Sequence, residues 1–142
     1  MKILLTGGAG YIGSHTAVEL IKAGHSVVII DNLINSSEDV IKNIKRITGT
    51  EISFYKLDLR DDFSCVFSGH VFDACIHFAG LKAVGESVSL PLRYYNNNLI
   101  STLNLIKTLE KHNCKNIIFS SSATVYGTPA EIPITEQCPK GT

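Results

Sequence analysis

Several features are missing from this sequence, and each absence removes a class of function. No apolar run approaches the ~18 residues that a membrane span needs, so no membrane-embedded role is expected. The apolar run before the first threonine and glycines is only three residues long, Ile3-Leu4-Leu5, too short for a signal-peptide core. Neither charge is in excess: 13 basic residues balance 13 acidic ones, which leaves no electrostatic footprint for nucleic acid. The four cysteines, Cys65, Cys75, Cys114 and Cys138, have neither metal-ligand spacing nor the density of a disulfide framework. Cys75 lies in an apolar run and reads as a small core residue. No G-x-S-x-G elbow surrounds any serine, and no acid or second histidine stands at ligand spacing from His77, so neither a hydrolase triad nor a metal site is expected. His77 reads instead as a hydrogen-bonded strand histidine. There is no internal repeat and no low-complexity segment. The 142 residues amount to one domain with a single core, expected to be soluble and to belong to a reducing, cytosolic compartment.

The most informative stretch is the first thirty-one residues. Ile3-Leu4-Leu5 suits a strand buried on both faces. The turn Gly7-Gly8-Ala9-Gly10-Tyr11-Ile12-Gly13 follows. Ile12, Ala17, Leu20, Ile21 and Ala23 then recur at helical spacing, with Gly24 at a natural stop. Val27-Val28-Ile29-Ile30 reads as a second buried strand ending on Asp31. Strand, glycine turn, helix, strand and acid form the order of a dinucleotide-binding unit. One glycine permits a tight reversal, a second lets the backbone approach a pyrophosphate, and Gly13 lets the helix lie close to the sheet. The helix directs its unpaired N–H groups and positive dipole end at the phosphates. Asp31, about 20 residues on, is placed to accept from the adenosine ribose hydroxyls and to repel a 2′-phosphate, which favours NAD over NADP.

Further along, Ser36 or Ser37 can cap a helix whose buried stripe is Val40, Ile41, Ile44 and Ile47, with Lys42, Lys45 and Arg46 facing water and Gly49 ending it. A third strand holds Ile52, Phe54 and Leu57 and delivers Asp58-Leu59. Asp58 has two open readings: acceptor from an adenine amino group, or N-cap of a short helix through Phe63, Val66 and Phe67. A fourth strand, Val71 to Phe78, ends in Ala79-Gly80, small enough to let a cofactor cross. Leu81 to Pro91 reads as a loop carrying Lys82 and Glu86. The long helix after it takes Leu92, Tyr95, Leu99, Leu103, Ile106 and Leu109 as its buried stripe. Asn96-Asn97-Asn98 interrupts this helix with three poor helix formers, which we read as at least one amide reaching a ligand. The fifth strand, Asn116 to Phe119, delivers the hydroxyls of Ser120, Ser121 and Ser122. The alternation predicts an α/β fold, a Rossmann-type doubly wound parallel sheet of order 3-2-1-4-5 with the cofactor between strands 1 and 4.

The stretches TGGAGYIGSH (Thr6 to His15), DNLINSS (Asp31 to Ser37), HFAGLKAVGESV (His77 to Val88) and SSSATVYG (Ser120 to Gly127) carry a family likeness. The chain closely resembles the N-terminal part of the UDP-glucose 4-epimerases, extended short-chain dehydrogenases/reductases, along essentially its whole length. The resemblance implies an isomerase of galactose metabolism that interconverts UDP-galactose and UDP-glucose with tightly held NAD, through a 4-keto sugar. By position, Gly7, Gly10, Tyr11, Ile12 and Gly13 would flank the pyrophosphate. Asp31, Asn32, Leu33, Asn35 and Ser36 would cradle the adenosine ribose, and Asp58 and Leu59 would lie at the adenine. Phe78, Ala79, Gly80, Leu81 and Lys82 would line the cofactor, and Asn97 would be the asparagine that reaches the ligand. Ser122 would be the catalytic hydroxyl and Tyr126 a structural tyrosine. The resemblance also implies a homodimer, with the helix from Leu92 a candidate contact.

The family's general base is the tyrosine of a Tyr-x-x-x-Lys motif. None of Tyr11, Tyr55, Tyr94, Tyr95 or Tyr126 has lysine four residues later. The expectation is therefore an incomplete NAD domain over residues 1–142, lacking the catalytic tyrosine helix and the sugar-nucleotide domain, and inert alone. Two other readings stand beside it. A nucleotide-sugar 4,6-dehydratase needs an acid pair after its catalytic hydroxyl, where this chain has Ala123 and Thr124. A non-catalytic NAD-binding module would not need Ser122.

Overall fold

The computed structural model describes residues 1–129 and 131–141. Five parallel strands, β1 (Lys2–Thr6), β2 (Ser26–Asp31), β3 (Ser53–Lys56), β4 (Ala74–His77) and β5 (Ile117–Phe119), form one sheet in the order β3-β2-β1-β4-β5. Every pair is parallel, and Leu4 lies between Val28 and Cys75. The expected doubly wound sheet is therefore present. Its centre is buried on both sides because β1 and β2 are apolar without alternation, as a sheet covered on both faces requires.

Successive side chains divide the core in two. Leu4, Val28, Ile30 and Cys75 pack with Phe63, Val66, Leu105 and Leu109 on one face. Ile3, Leu5, Val27 and Ile29 pack with Ala17 and Ile44 on the other. The second face carries α1 (Tyr11–Lys22) and α2 (Asp39–Thr48). Gly49 ends α2 at φ +68°, its N–H donating to the Lys45 carbonyl. The first face carries the short α3 (Cys65–Ser68) and the helical run after β4. That run is α5 (Pro91–Tyr95), a π turn (Asn96–Ile100) and α6 (Ser101–Lys111), preceded by a short α4 (Val84–Ser89). Glu86 joins α4 to α5 by accepting from Arg93 at 2.6 Å and from the Tyr94 hydroxyl at 2.7 Å. No helix among the described residues is long and apolar enough to cross a membrane.

The structure corrects four readings. The stripe Leu92, Tyr95, Leu99, Leu103 and Ile106 is exposed, from 48% at Ile106 to 81% at Leu92; of that set only Leu109 is buried. The inward face is Tyr94, Asn97, Ser101, Leu105 and Leu109. These inward residues recur every three or four positions as one continuous stripe, so the helical period holds and only its phase differs from the reading: a second apolar stripe at the same spacing faces outward. Ile47 is likewise exposed, at 59%, in the last turn of α2, and Ile44 is the buried residue of that helix. The segment Leu81 to Pro91 holds α4 instead of being a loop throughout. Finally, α3 starts at Cys65 behind Ser64, so Asp58 is not its N-cap.

Candidate functional site

The turn after β1 is shaped by what its glycines omit. Gly7 adopts φ +71°, and a Cβ there would lie 2.5 Å from the Ala79 nitrogen at the end of β4. A Cβ on Gly13 would collide with the Gly7 carbonyl oxygen, so the first turn of α1 sits against the glycine turn itself. Gly8 packs on Ile29, where a Cβ would approach to 2.7 Å. Gly10 is the least crowded: a Cβ would meet only the Gly7 carbonyl oxygen, at 3.3 Å. Gly10 is also the N-cap of α1 and lines the cleft with Tyr11, Ile12 and Gly13. Here the helix presents N–H groups that have no intrahelical acceptor, and no acid in its first turn competes for them.

Asp31 closes β2 and is buried, 7% exposed, in the wall of the same cleft. One carboxylate oxygen accepts the Ala9 N–H at 3.0 Å, and the other accepts the Leu33 N–H and the Ser36 hydroxyl, both at 2.9 Å. Leu33 is held at φ +60° by this arrangement. The acid is therefore fixed by the glycine turn on one side and by its own loop on the other.

Opposite, the segment Phe78 to Lys82 crosses the strand ends. Its position is set by a side chain acting as a strand partner: Asn98 accepts the Leu81 N–H at 2.8 Å and donates to the Leu81 carbonyl at 3.0 Å. Asn97, buried and lining the cleft, donates to the Asn98 side-chain oxygen at 3.0 Å. Behind them His77, fully buried, meets Thr6 at 2.5 Å and Thr102 at 3.0 Å. The Thr102 hydroxyl donates to the Asn98 carbonyl at 2.7 Å, so His77 Nε2 donates to Thr102 and Nδ1 accepts from Thr6. The strand-histidine reading thus holds. Burial, helped by nearby Lys82, pushes its pKa down to about 4 and keeps the ring neutral.

At the end of β3, the Arg60 guanidinium and backbone N–H, with the Asn32 amide, hold the Asp58 carboxyl well below the usual range despite partial burial. On the far side, Ser122 is the N-cap of a 3₁₀ turn, Ala123–Tyr126, and is exposed. Its hydroxyl oxygen accepts from the Thr124 N–H at 3.3 Å and the Thr124 hydroxyl at 2.9 Å. Gly141 folds back to donate to the Val125 carbonyl at 2.9 Å.

The cleft, ≈ 280 Å³, gathers most of the residues singled out in the sequence: the glycine turn, Asp31, Asn32, Asn35, Asp58, Leu59, the run Phe78 to Lys82, and Asn97. Leu33, Ser36 and Ser122 do not line it; Ser36 acts on Asp31, and Ser122 stands outside the cavity. Ile34, Leu57, Ser101 and Ser120 do line it and were not singled out as cofactor contacts. Ser101 was findable, since it lies one helical turn beyond Asn97. Ile34 gave no sign, being an apolar residue in a polar loop.

The model of the family described as GDP-mannose 4,6 dehydratase matches residues 4–141. The UDP-glucose 4-epimerase of Bacillus subtilis is 55% identical over 143 residues, covering 99% of this chain and 42% of that protein. That of Dictyostelium discoideum is 54% identical, covering 97% and 41%. Among solved structures, the UDP-glucose 4-epimerase of Bifidobacterium longum in complex with NAD+ and UDP superposes at TM-score 0.94 with 53% identity, over 99% of this chain and 43% of that one. The Brucella ovis enzyme in complex with NAD superposes at 0.81 with 34% identity, covering 99% and 41%. The chain thus spans about two fifths of the length of the curated relatives it matches. The epimerase resemblance read from the sequence holds, and with residues 4–141 matched, the chain belongs to the sugar-nucleotide family that the GDP-mannose 4,6 dehydratase model describes.

Proposed function

We propose that the cleft holds NAD, and that these residues are the cofactor-binding part of a UDP-glucose 4-epimerase that interconverts UDP-galactose and UDP-glucose through a 4-keto sugar. The observation that carries this reading is Asp31, buried in the cleft wall and fastened to the glycine turn through Ala9. A carboxylate there accepts from vicinal ribose hydroxyls and repels a 2′-phosphate. Beside it, the uncrowded backbone at Gly10 and the opening N–H groups of α1 suit a diphosphate. Similar proteins that were crystallised with NAD support the same assignment.

NAD, when bound, supplies a hydride acceptor. The chain's own residues do the rest. Asp31 and Asn35 hold the adenosine ribose, Asp58 and Leu59 wall the adenine end, and Ala79 and Gly80 leave room at the strand ends. Asn97 reaches the ligand from the π turn. Ser122 hydrogen-bonds the sugar C4 oxygen and helps its proton leave. Its oxygen already accepts two hydrogen bonds from Thr124, and its own proton has no acceptor among the described residues, so that proton is available to a substrate oxygen. A dehydratase would need acids where Ala123 and Thr124 stand.

These 142 residues hold no Tyr-x-x-x-Lys, so we expect binding without turnover from this chain alone. The exposed apolar stripe from Leu92 to Ile106 is assigned to a second copy, as a homodimer contact, and the compartment to the cytoplasm. Extraction of nucleotide from the purified chain, followed by an assay with UDP-galactose, tests the reading. Bound or bindable NAD with no epimerisation is the expected result. A chain that takes no NAD, or one that turns over unaided, overturns the corresponding half.

A further inference from the structure

Resting on the NAD reading, we propose that Asn98 is a positioning residue for the part of NAD beyond the diphosphate, its second ribose and nicotinamide. Asn98 acts through the backbone of Leu81, and His77 holds it in place through Thr102.

The sheet order divides the cleft. β2 and β3 lie on one side of β1, and β4 and β5 lie on the other. Asp31 ends β2, so the adenosine half rests on that side. A dinucleotide whose diphosphate sits at the start of α1 must then send its other half across the end of β4. There it meets the run Phe78 to Lys82, which belongs to no helix or strand yet lines the cleft. Such a backbone needs hydrogen-bond partners from elsewhere in the fold. The Phe78 N–H finds the Thr6 carbonyl at 2.9 Å. Leu81 finds both of its partners in one side chain: Asn98 accepts its N–H at 2.8 Å and donates to its carbonyl at 3.0 Å.

Asn98 is fastened at both of its ends. Its side-chain oxygen also lies against Gly80, where a Cβ would come within 3.4 Å of it. Its main-chain carbonyl, inside the π turn, accepts from the Thr102 hydroxyl at 2.7 Å and the Ser101 hydroxyl at 3.3 Å. Thr102 in turn accepts from His77 Nε2 at 3.0 Å, and His77 Nδ1 accepts from Thr6. Hydrogen bonds thus run in one line from β1 through β4 to the π turn, and from there to Leu81. Thr6, His77, Thr102 and Asn98 do not line the cleft, whereas Leu81 does, so their effect on a ligand passes through it. Aspartate at position 98 would keep the acceptor and lose the donor, setting a carboxylate oxygen against the Leu81 carbonyl. Valine at position 102 would keep the shape and remove the hydroxyl that joins His77 to Asn98.

The test is equilibrium binding of two probes to the full 142-residue chain. One is NAD; the other is ADP, which keeps adenosine and both phosphates but has no second ribose or nicotinamide. The proteins are the unaltered chain, Asn98→Asp, Asn98→Ala, Thr102→Val and Thr102→Ser. Both Asn98 variants should weaken NAD by about tenfold, while their affinity for ADP stays within about twofold of the unaltered chain. Thr102→Val should shift the two probes in the same unequal way. Thr102→Ser, which keeps the hydroxyl, should bind NAD as the unaltered chain does. A residue that only supports the fold would weaken both probes together. If the Asn98 variants do not fold, the Thr102 pair decides alone. Equal losses for NAD and ADP, no loss for NAD, or a Thr102→Ser as weak as Thr102→Val would overturn the inference while leaving the NAD reading intact. An unaltered chain that binds neither probe overturns that reading and this inference with it.

Discussion

Asp31 accepts the backbone N–H of Ala9 at 3.0 Å, so the acid that ends β2 is bonded directly to the glycine turn that starts α1. Two features twenty-two residues apart are one object. Replacing Asp31 with Asn keeps one acceptor oxygen and exchanges the other for an NH₂ group. Either Ala9, or Leu33 and Ser36, then loses its partner. We expect a loss of about 1–3 kcal/mol in denaturant unfolding, together with weaker NAD binding and a narrower margin over NADP. Unchanged stability and unchanged selectivity would contradict this role.

The glycines separate by the space around them. Gly13→Ala drives a methyl group into the Gly7 carbonyl and should destabilise the chain by roughly 1–3 kcal/mol as the turn moves. Gly85 lies within α4 with open space around its Cβ position, and Gly85→Ala should be neutral or stabilising by about 0.5–1 kcal/mol. Melting temperatures of the two variants should move in opposite directions, or Gly13 alone should move.

His77 predicts the acid limb of stability. Its folded pKa of about 4 lies below the ordinary 6.5, so the unfolded chain takes up the proton first as pH falls. The contribution is present above pH 6.5 and disappears on acidification towards pH 4, where a second ring proton would face the Thr6 hydroxyl hydrogen. In full it amounts to about 3 kcal/mol. His77→Gln should lower stability at neutral pH and flatten its slope between pH 6.5 and 4. A slope unchanged from that of the unaltered chain would show that His77 does not carry it.

Leu103 lies in the exposed stripe of the long helical run, at 54% exposure. Leu103→Lys should leave the unfolding free energy of the monomer within about 0.5 kcal/mol, as surface changes do, while reducing self-association in sedimentation at raised concentration. A chain that is monomeric before the change contradicts the homodimer assignment.

What the sequence disclosed was local. The glycine turn, α1, β2 and Asp31 are contiguous, and each part states its purpose through one residue type: no Cβ, apolar in a run, or acid at a strand end. Strand order followed because five apolar runs alternate with helices. The helix from Pro91 to Lys111 misled because both of its sides carry apolar residues at helical spacing. Its true inward side contains Asn97 and Ser101, which serve the cleft and so look like surface. Asn98 escaped for a related reason. Its partner is the backbone of Leu81, seventeen residues away, and only the fold brings them together.

In the proposed complex a cradle of backbone N–H groups holds a diphosphate while Asp31 grips the neighbouring ribose. Titration of the purified chain with NAD and with NADP, side by side with Asp31→Ala, tests it most directly. NAD should bind at least about tenfold more tightly than NADP, and Asp31→Ala should remove most of that difference. Equal binding of the two dinucleotides by the unaltered chain, or a preference that survives loss of the carboxylate, would contradict it.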